Sequence, residues 1–309
     1  MPLLAAFCCS PTHVLATPLL GADLASFSVL AGSYASYGAD ATINGNVGAV
    51  GYISAGAGAT SLNNYGAGPY ISYGAGASSL STNTLGAVTV GAGANAGTVG
   101  SNLSSVTTAL TQYAAATSAL TAMGTGTALA TTLGGNVSLS AGVYSASALT
   151  TAANTVITLD GNGAANPTWV FNITDNLVTG ANTVFQFAPG TTNASVLWNA
   201  GGYTALGAST SFIGDDFSTT YISQGAGTTS CGGAFSLGYV SMGAGATSGS
   251  NCAGSVSSLA AGLAIVNGVA VAAPASISPV PEPDSYAMLL AGVVLLACIS
   301  RRRKQKNNV

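Results

Sequence analysis

"TWVFNITDN" (residues 168–176) alternates Trp169, Phe171 and Ile173 with Val170 and Asn172, then ends on Asp175 and Asn176. Bulky residues at period two, closed by turn formers, read as a short strand whose aromatic side faces a core. The same reading extends outward to "TVITLDGNG" (155–163), "TVFQFAPG" (183–190) and "ASVLWNAGG" (194–202). In the second of these, Phe185 and Phe187 alternate with Val184 and Gln186. Many short strands ended by Gly, Asn, Asp or Pro leave two architectures open, a solenoid and a sandwich.

Around these runs Gly-Ala-Gly recurs at 56–58, 66–68, 74–76, 91–93, 225–227 and 243–245. Small residues at recurring places suit tight corners and close stacking of one coil on the next. Over 55–95 the same composition also reads as a flexible glycine-rich spacer. The chain is 48% apolar, which sets it apart from disordered sequences of low hydrophobicity. One segment departs from the strand rhythm. From Ser101 to Met123, Leu103, Val106, Leu110, Tyr113, Thr117 and Leu120 recur at steps of three and four, with Ser or Asn before them and Gly124 after. That spacing predicts one amphipathic helix of about six turns packed on the sheet.

Charge excludes several functions. All five cations, Arg301, Arg302, Arg303, Lys304 and Lys306, lie at the C-terminal end, and residues 1–279 carry only Asp23, Asp40, Asp160, Asp175, Asp215 and Asp216. A body without Lys or Arg has nothing to pair with phosphates, so nucleic acid is not an expected partner. The single histidine is His13, inside the N-terminal leader, which leaves no imidazole for a triad, a proton shuttle or a metal. "GDD" (214–216) lacks the accompanying basic groups of a hydrolase site, and "DGNGAAN" (160–166) lacks a later acidic ligand for calcium. Both read as turns. No catalytic residue, metal or cofactor is expected.

Both ends look like processing signals. "MPLLAAFCCSPTHVLA" (1–16) is an apolar stretch ending in small residues at the spacing of a signal-peptidase site, although no basic region precedes it. Ser285–Ser300 is an apolar run followed by the arginines, the pattern of a membrane helix with its basic end in the cytoplasm. Pro281, Glu282 and Pro283, the short span and Arg301, Arg302 and Arg303 together resemble the PEP-CTERM sorting signal of Gram-negative bacteria that produce exopolysaccharide. The resemblance implies recognition by a membrane exosortase, a transient inner-membrane anchor and delivery to the cell surface or matrix. Of the five cysteines, Cys231 and Cys252 fall in the exported body. An isolated even pair there suggests a disulfide, worth about 3 kcal/mol in the chain-entropy model.

A helix inserted among short strands also marks a family for the body. "LGADLASFSVLAG" (20–32), "ATINGNVGA" (41–49), "LGGNVSLSAGVYSAS" (133–147), "ITLDGNGAANPTWVFNI" (157–173) and "ASVLWNAGGYTALGASTSFIGD" (194–215) resemble, in order and spacing, the bacterial and fungal ice-binding-protein-like domain. The resemblance implies a mostly β chain: a right-handed parallel β-helix of triangular cross-section with one long helix alongside. Two departures stand out: Gly232-Gly233 where the family usually has Gly-Arg, and a more repetitive stretch at 50–98. The organisation expected is a leader (1–16), a β-helix domain (17–253) with its helix at about 101–123, a linker (254–279) and a sorting segment (280–309) with a membrane helix at 285–300.

The resemblance implies adsorption to ice through one flat face of the β-helix, while the sorting signal's link to exopolysaccharide production keeps open an alternative, structural role with exopolysaccharide as the partner. Such a face needs short neutral groups on a ladder of strands about 4.8 Å apart, uncovered by the helix and free of large side chains. Carrying the family's apolar-outward-apolar triplet onto this chain gives Thr150, Thr179, Thr204, Ser223 and Ser241 as outward residues, spaced by 29, 25, 19 and 18. A slip of one residue would turn any of them inward.

Overall fold

The computed structural model describes residues 17–249 and 263–272. Its alternating runs form three-sided coils, each placing strands on three faces, and the ladders between coils are parallel. Of the two architectures left open, the chain takes the solenoid. The first face is one ten-stranded sheet. It runs from Ala87–Val90 through Tyr70–Tyr73, Ile53–Ala55 and Ala35–Tyr37 to Tyr239–Met242, then through Tyr221–Gln224, Thr204–Leu206 and Leu177–Val178 to Leu149–Thr151 and Thr132–Leu133. The stack is discontinuous in sequence, because the last coil docks on an early one, with Val240 opposite Ala35 and Ala234 opposite Val29.

Packing follows from the alternation. Trp169, Phe171, Ile173 and Phe185 are buried, and the Phe171 and Trp198 rings stack at 3.9 Å with Phe185 edge-on to Trp198 at 5.2 Å. Each indole N–H is satisfied, Trp169 donating to Leu139 O (3.0 Å) and Trp198 to Ile213 O (2.8 Å). Trp198→Ala therefore removes a ring and strands a carbonyl, and should lower unfolding stability by about 3–5 kcal/mol in denaturant titration.

Residues 55–95 form regular coils rather than a spacer. Their interior is held partly by a buried polar chain: Tyr37 Oη donates to Asn64 Oδ1 (2.8 Å), Asn64 Nδ2 donates to Tyr73 Oη (2.6 Å), and Tyr73 Oη lies 2.7 Å from Thr82 Oγ1. The Gly-Ala-Gly corners stack directly. Asp40 N–H donates to Ala57 O, Gly58 N–H to Ala75 O and Gly76 N–H to Ala92 O. A side chain at Gly74 would put its Cβ 2.7 Å from the Ala57 nitrogen, so only glycine lets neighbouring coils approach this closely.

The helix spans Ser104–Thr121, about five turns rather than six. Asn102 Oδ1 accepts from the Ser104 N–H and hydroxyl, and Gly124 follows at positive φ. Val106, Ala109, Tyr113, Ala116, Ala119 and Leu120 are buried. The alanines turn the expected stripe toward the sheet, because small side chains let the helix sit close, and Thr117 is left half-buried. It covers the second face, where it meets Val170, Leu197, Phe217 and Phe235, so both sides of the 168–173 strand are buried.

One expectation needs correction, and several fall outside the described residues. Asp215 and Asp216 lie on a strand, Asp215–Ser218, entered through Gly214 at φ 111°, and only 160–166 behaves as a turn. Among the described residues no helix is long and apolar enough to cross a membrane. The expected span at 285–300, the leader at 1–16 and the motif residues Pro281, Glu282, Pro283, Arg301, Arg302 and Arg303 lie outside those residues. Cys231 is disulfide-bonded, and its expected partner Cys252 also lies outside them.

Candidate functional site

With the helix on the second face, no described residue covers the other two faces. On the first, the outward residues line up in register across all ten strands. In spatial order they are Thr89, Ser72, Ser54, Ser36, Ser241, Ser223, Ala205, Val178, Thr150 and Thr132. Only Ala205 and Val178 interrupt the hydroxyls. Neighbouring rungs touch, Ser36 Oγ donating to Ser241 Oγ (3.4 Å) and Ser72 Oγ to Ser54 Oγ (3.3 Å).

Three of the five sequence candidates, Thr150, Ser223 and Ser241, stand on this ladder. Thr179 and Thr204 do not. Thr204 pairs with Leu177 and Ile222 at inward positions and is fully buried, its hydroxyl donating to Asp216 Oδ1 at 3.0 Å. Thr179 is buried against Thr210, the two hydroxyls 3.1 Å apart. The rungs in these two coils are their neighbours Val178 and Ala205, one residue away in each case.

Tyr203 belongs to a row that sequence reasoning missed. Tyr203, Tyr221, Tyr239, Tyr34, Tyr52 and Tyr70 stack in that order with centroids 4.6, 4.8, 4.9, 4.8 and 5.0 Å apart. The planes lie within 15° of parallel. Each tyrosine stands two residues before a rung, so Tyr-x-Ser at 34–36, 52–54, 70–72, 221–223 and 239–241, with Tyr-x-Ala at 203–205, was the available signal. The expectation of a face free of large side chains fails along this edge. Partial desolvation and the adjacent phenols push the Tyr52 and Tyr221 hydroxyls above the usual phenol range. On the ladder's other side runs a glycine row that includes Gly38, Gly56 and Gly74, so the surface falls away there.

The third face carries its own register: Asn95, Ser78, Thr60, Thr42, Thr247, Thr229, Ser211, Val184, Val156 and Asn136. It has no tyrosine row, but Leu62 and Leu80 stand exposed at 45% and 70%, and the half-buried carboxylate of Asp160 lies beside Ser140. The first face has no charged residue in its ladder, tyrosine row or glycine row.

Asp215 and Asp216 are not a surface site. Both are buried, and desolvation raises each carboxyl to about 7 despite a backbone bond from Gly233 to Asp215 and hydroxyl bonds from Thr204 and Ser218 to Asp216. No cation accompanies them within residues 1–279. Among the described residues no cluster of His, Cys, Asp or Glu is arranged to hold a metal.

A family model described as "Ice-binding-like" matches residues 29–247, and a model of the PEP-CTERM protein-sorting motif matches 279–304. Ice-binding protein 1 of Shewanella frigidimarina is 31% identical over 90 residues, 29% of this chain and 10% of that protein. The chain thus matches only about a tenth of the length of that curated relative. Among solved structures, the ice-binding protein of the Antarctic ascomycete Antarctomyces psychrotrophicus is 24% identical with a TM-score of 0.53, covering 76% of this chain and 98% of that one. An ice-binding protein from an Arctic yeast is 19% identical with a TM-score of 0.55, covering 77% and 96%. At these identities the likeness concerns the fold.

Proposed function

The chain belongs to the ice-binding-like family and carries a PEP-CTERM sorting motif, and on that premise we propose that it is an exported surface protein that adsorbs to ice through the hydroxyl ladder of its first face. Adsorption limits ice growth or recrystallisation, or tethers cells. The observation that carries this reading is the ten-strand register in which Thr89, Ser72, Ser54, Ser36, Ser241, Ser223, Thr150 and Thr132 share one uncovered line. Stacked backbone fixes the repeat, so each short hydroxyl holds its water at a set spacing. Many weak contacts then sum on a surface that loses little freedom on binding. The tyrosine row has the same repeat, and ring stacking restrains it, so its phenol oxygens extend the ordered array instead of disrupting it. Exosortase is the expected partner during sorting, through Pro281, Glu282, Pro283 and the arginines that follow the span.

A second reading, a non-catalytic structural or adhesive protein of the exopolysaccharide matrix, draws support from the same sorting motif and from the tyrosine row, whose edges offer both apolar and hydroxyl contacts. Recrystallisation assays and host-polysaccharide pull-downs on the body (residues 17–279) separate the two. The ice reading expects ice grains to stay small in its presence. Unchanged grain growth together with retention on polysaccharide would reverse the assignment.

A further inference from the structure

The solenoid is open at both ends among its described residues. At one end Ala87–Val90 pairs only with Tyr70–Tyr73, and Thr98–Gly100 only with the 81–83 segment. Core positions there face outward along the axis. Val90 aligns with the buried Tyr73 yet is 49% exposed, and Val99 aligns with the buried Thr82 yet is 57% exposed. At the other end, Thr127–Ala128, Thr132–Leu133 and Asn136–Ser140 each pair on one side only. The long helix joining the two ends lies along the second face and crosses neither. Natural sheet edges are guarded by charge, proline or a covering element. Residues 85–103 and 125–140 contain no charged residue and no proline.

We propose that copies of this chain stack head to tail, the 87–100 coil of one copy pairing with the 127–140 coil of the next. A second copy is the occupant that fits. Each terminal coil offers a strand edge on all three faces, and the coils follow the faces in the same order. Only a translated copy meets all three edges in parallel at once; a copy turned end for end reverses the order and can match one face alone. The contact is heterologous, so it propagates into a filament rather than closing as a dimer. Stacking covers Val90 and Val99, and it places Thr89 beside Thr132 of the next copy, continuing the hydroxyl ladder without a break. It is independent of whether ice is bound.

The test is a register-specific cross-link in the full chain carrying Thr89→Cys and Thr132→Cys. Within one copy these rungs stand nine strand spacings apart, about 43 Å, so no intramolecular bond can form. Between stacked copies they are neighbours at about 4.8 Å, within the Cα range of a disulfide. Air oxidation should give a ladder of covalent dimers, trimers and larger species that reductant collapses. Each single variant should match the parent background, and mixing the two single variants should stop at dimers. Adding Val90→Lys should cut the ladder at least tenfold while circular dichroism stays unchanged. A double variant that remains at background overturns the proposal, as does a single variant that cross-links as well as the double.

Discussion

The folded chain should lose stability as the pH rises from about 4 to about 7 and then level off, because of Asp215 and Asp216. Burial raises both carboxyls to about 7, and the charge of Asp215 adds to the rise at Asp216. An unfolded aspartate titrates near 3.9, so between these values the folded state holds more protons than the unfolded one. Stability is therefore fully present below about pH 4 and lost as pH climbs through the folded value, the reverse of an ion-paired aspartate. At 1.36 kcal/mol for each unit, the loss is on the order of 4 kcal/mol for each carboxyl. Asp216→Asn keeps an oxygen for Thr204 and Ser218 and puts an amide where Oδ2 has no partner. Melting temperature measured from about pH 4 to pH 9 should fall steeply for the parent and less for Asp216→Asn, which becomes the more stable of the two above about pH 7. A parent curve that rises over this range contradicts the protonated core.

The second large effect is on ice. Ser54→Tyr and Ser241→Tyr place a ring in the middle of the ladder, where each rung is outward and half-buried between the tyrosine and glycine rows. The pair should abolish recrystallisation inhibition while leaving melting temperature within about 2 °C, since surface changes of this kind cost little stability. Thr42→Tyr with Thr229→Tyr on the third face should leave the activity intact. The opposite pattern moves the adsorbing surface to the third face. Thr204→Val separates the register question from the face: with its side chain inside, it should cost stability through the lost bonds to Asp216 and Ser218 without a selective loss of activity.

Local chemistry made much of the fold legible. Trp169, Phe171, Ile173 and Phe185 gave the strand faces, the glycine corners suited a coil without deciding it against a spacer, and the Ser or Asn before the helix and Gly124 after it marked its ends. What stayed hidden depends on neighbours remote in sequence. Nothing near Ala35 shows that Val240 will lie beside it, yet that contact joins the two halves of the ladder. Thr179 and Thr204 each lie one residue from the outward positions Val178 and Ala205, a difference local composition does not reveal, and Tyr203 looks like a core residue by type. Its outward place is set by stacking on Tyr221, a partner in the next coil. Gly214-Asp215-Asp216 reads as a turn by composition, and the strand wins because Asp215 and Asp216 align with Leu197 and Trp198 and complete the second face.

Partition into growing ice tests the central claim most directly. A polycrystalline ice shell is grown slowly in a solution of the body, and the protein frozen in is compared with that left in the liquid. The parent should be enriched in the ice and Ser54→Tyr/Ser241→Tyr left behind like an ordinary solute. Exclusion of the parent, or equal uptake of both, contradicts adsorption through the first face.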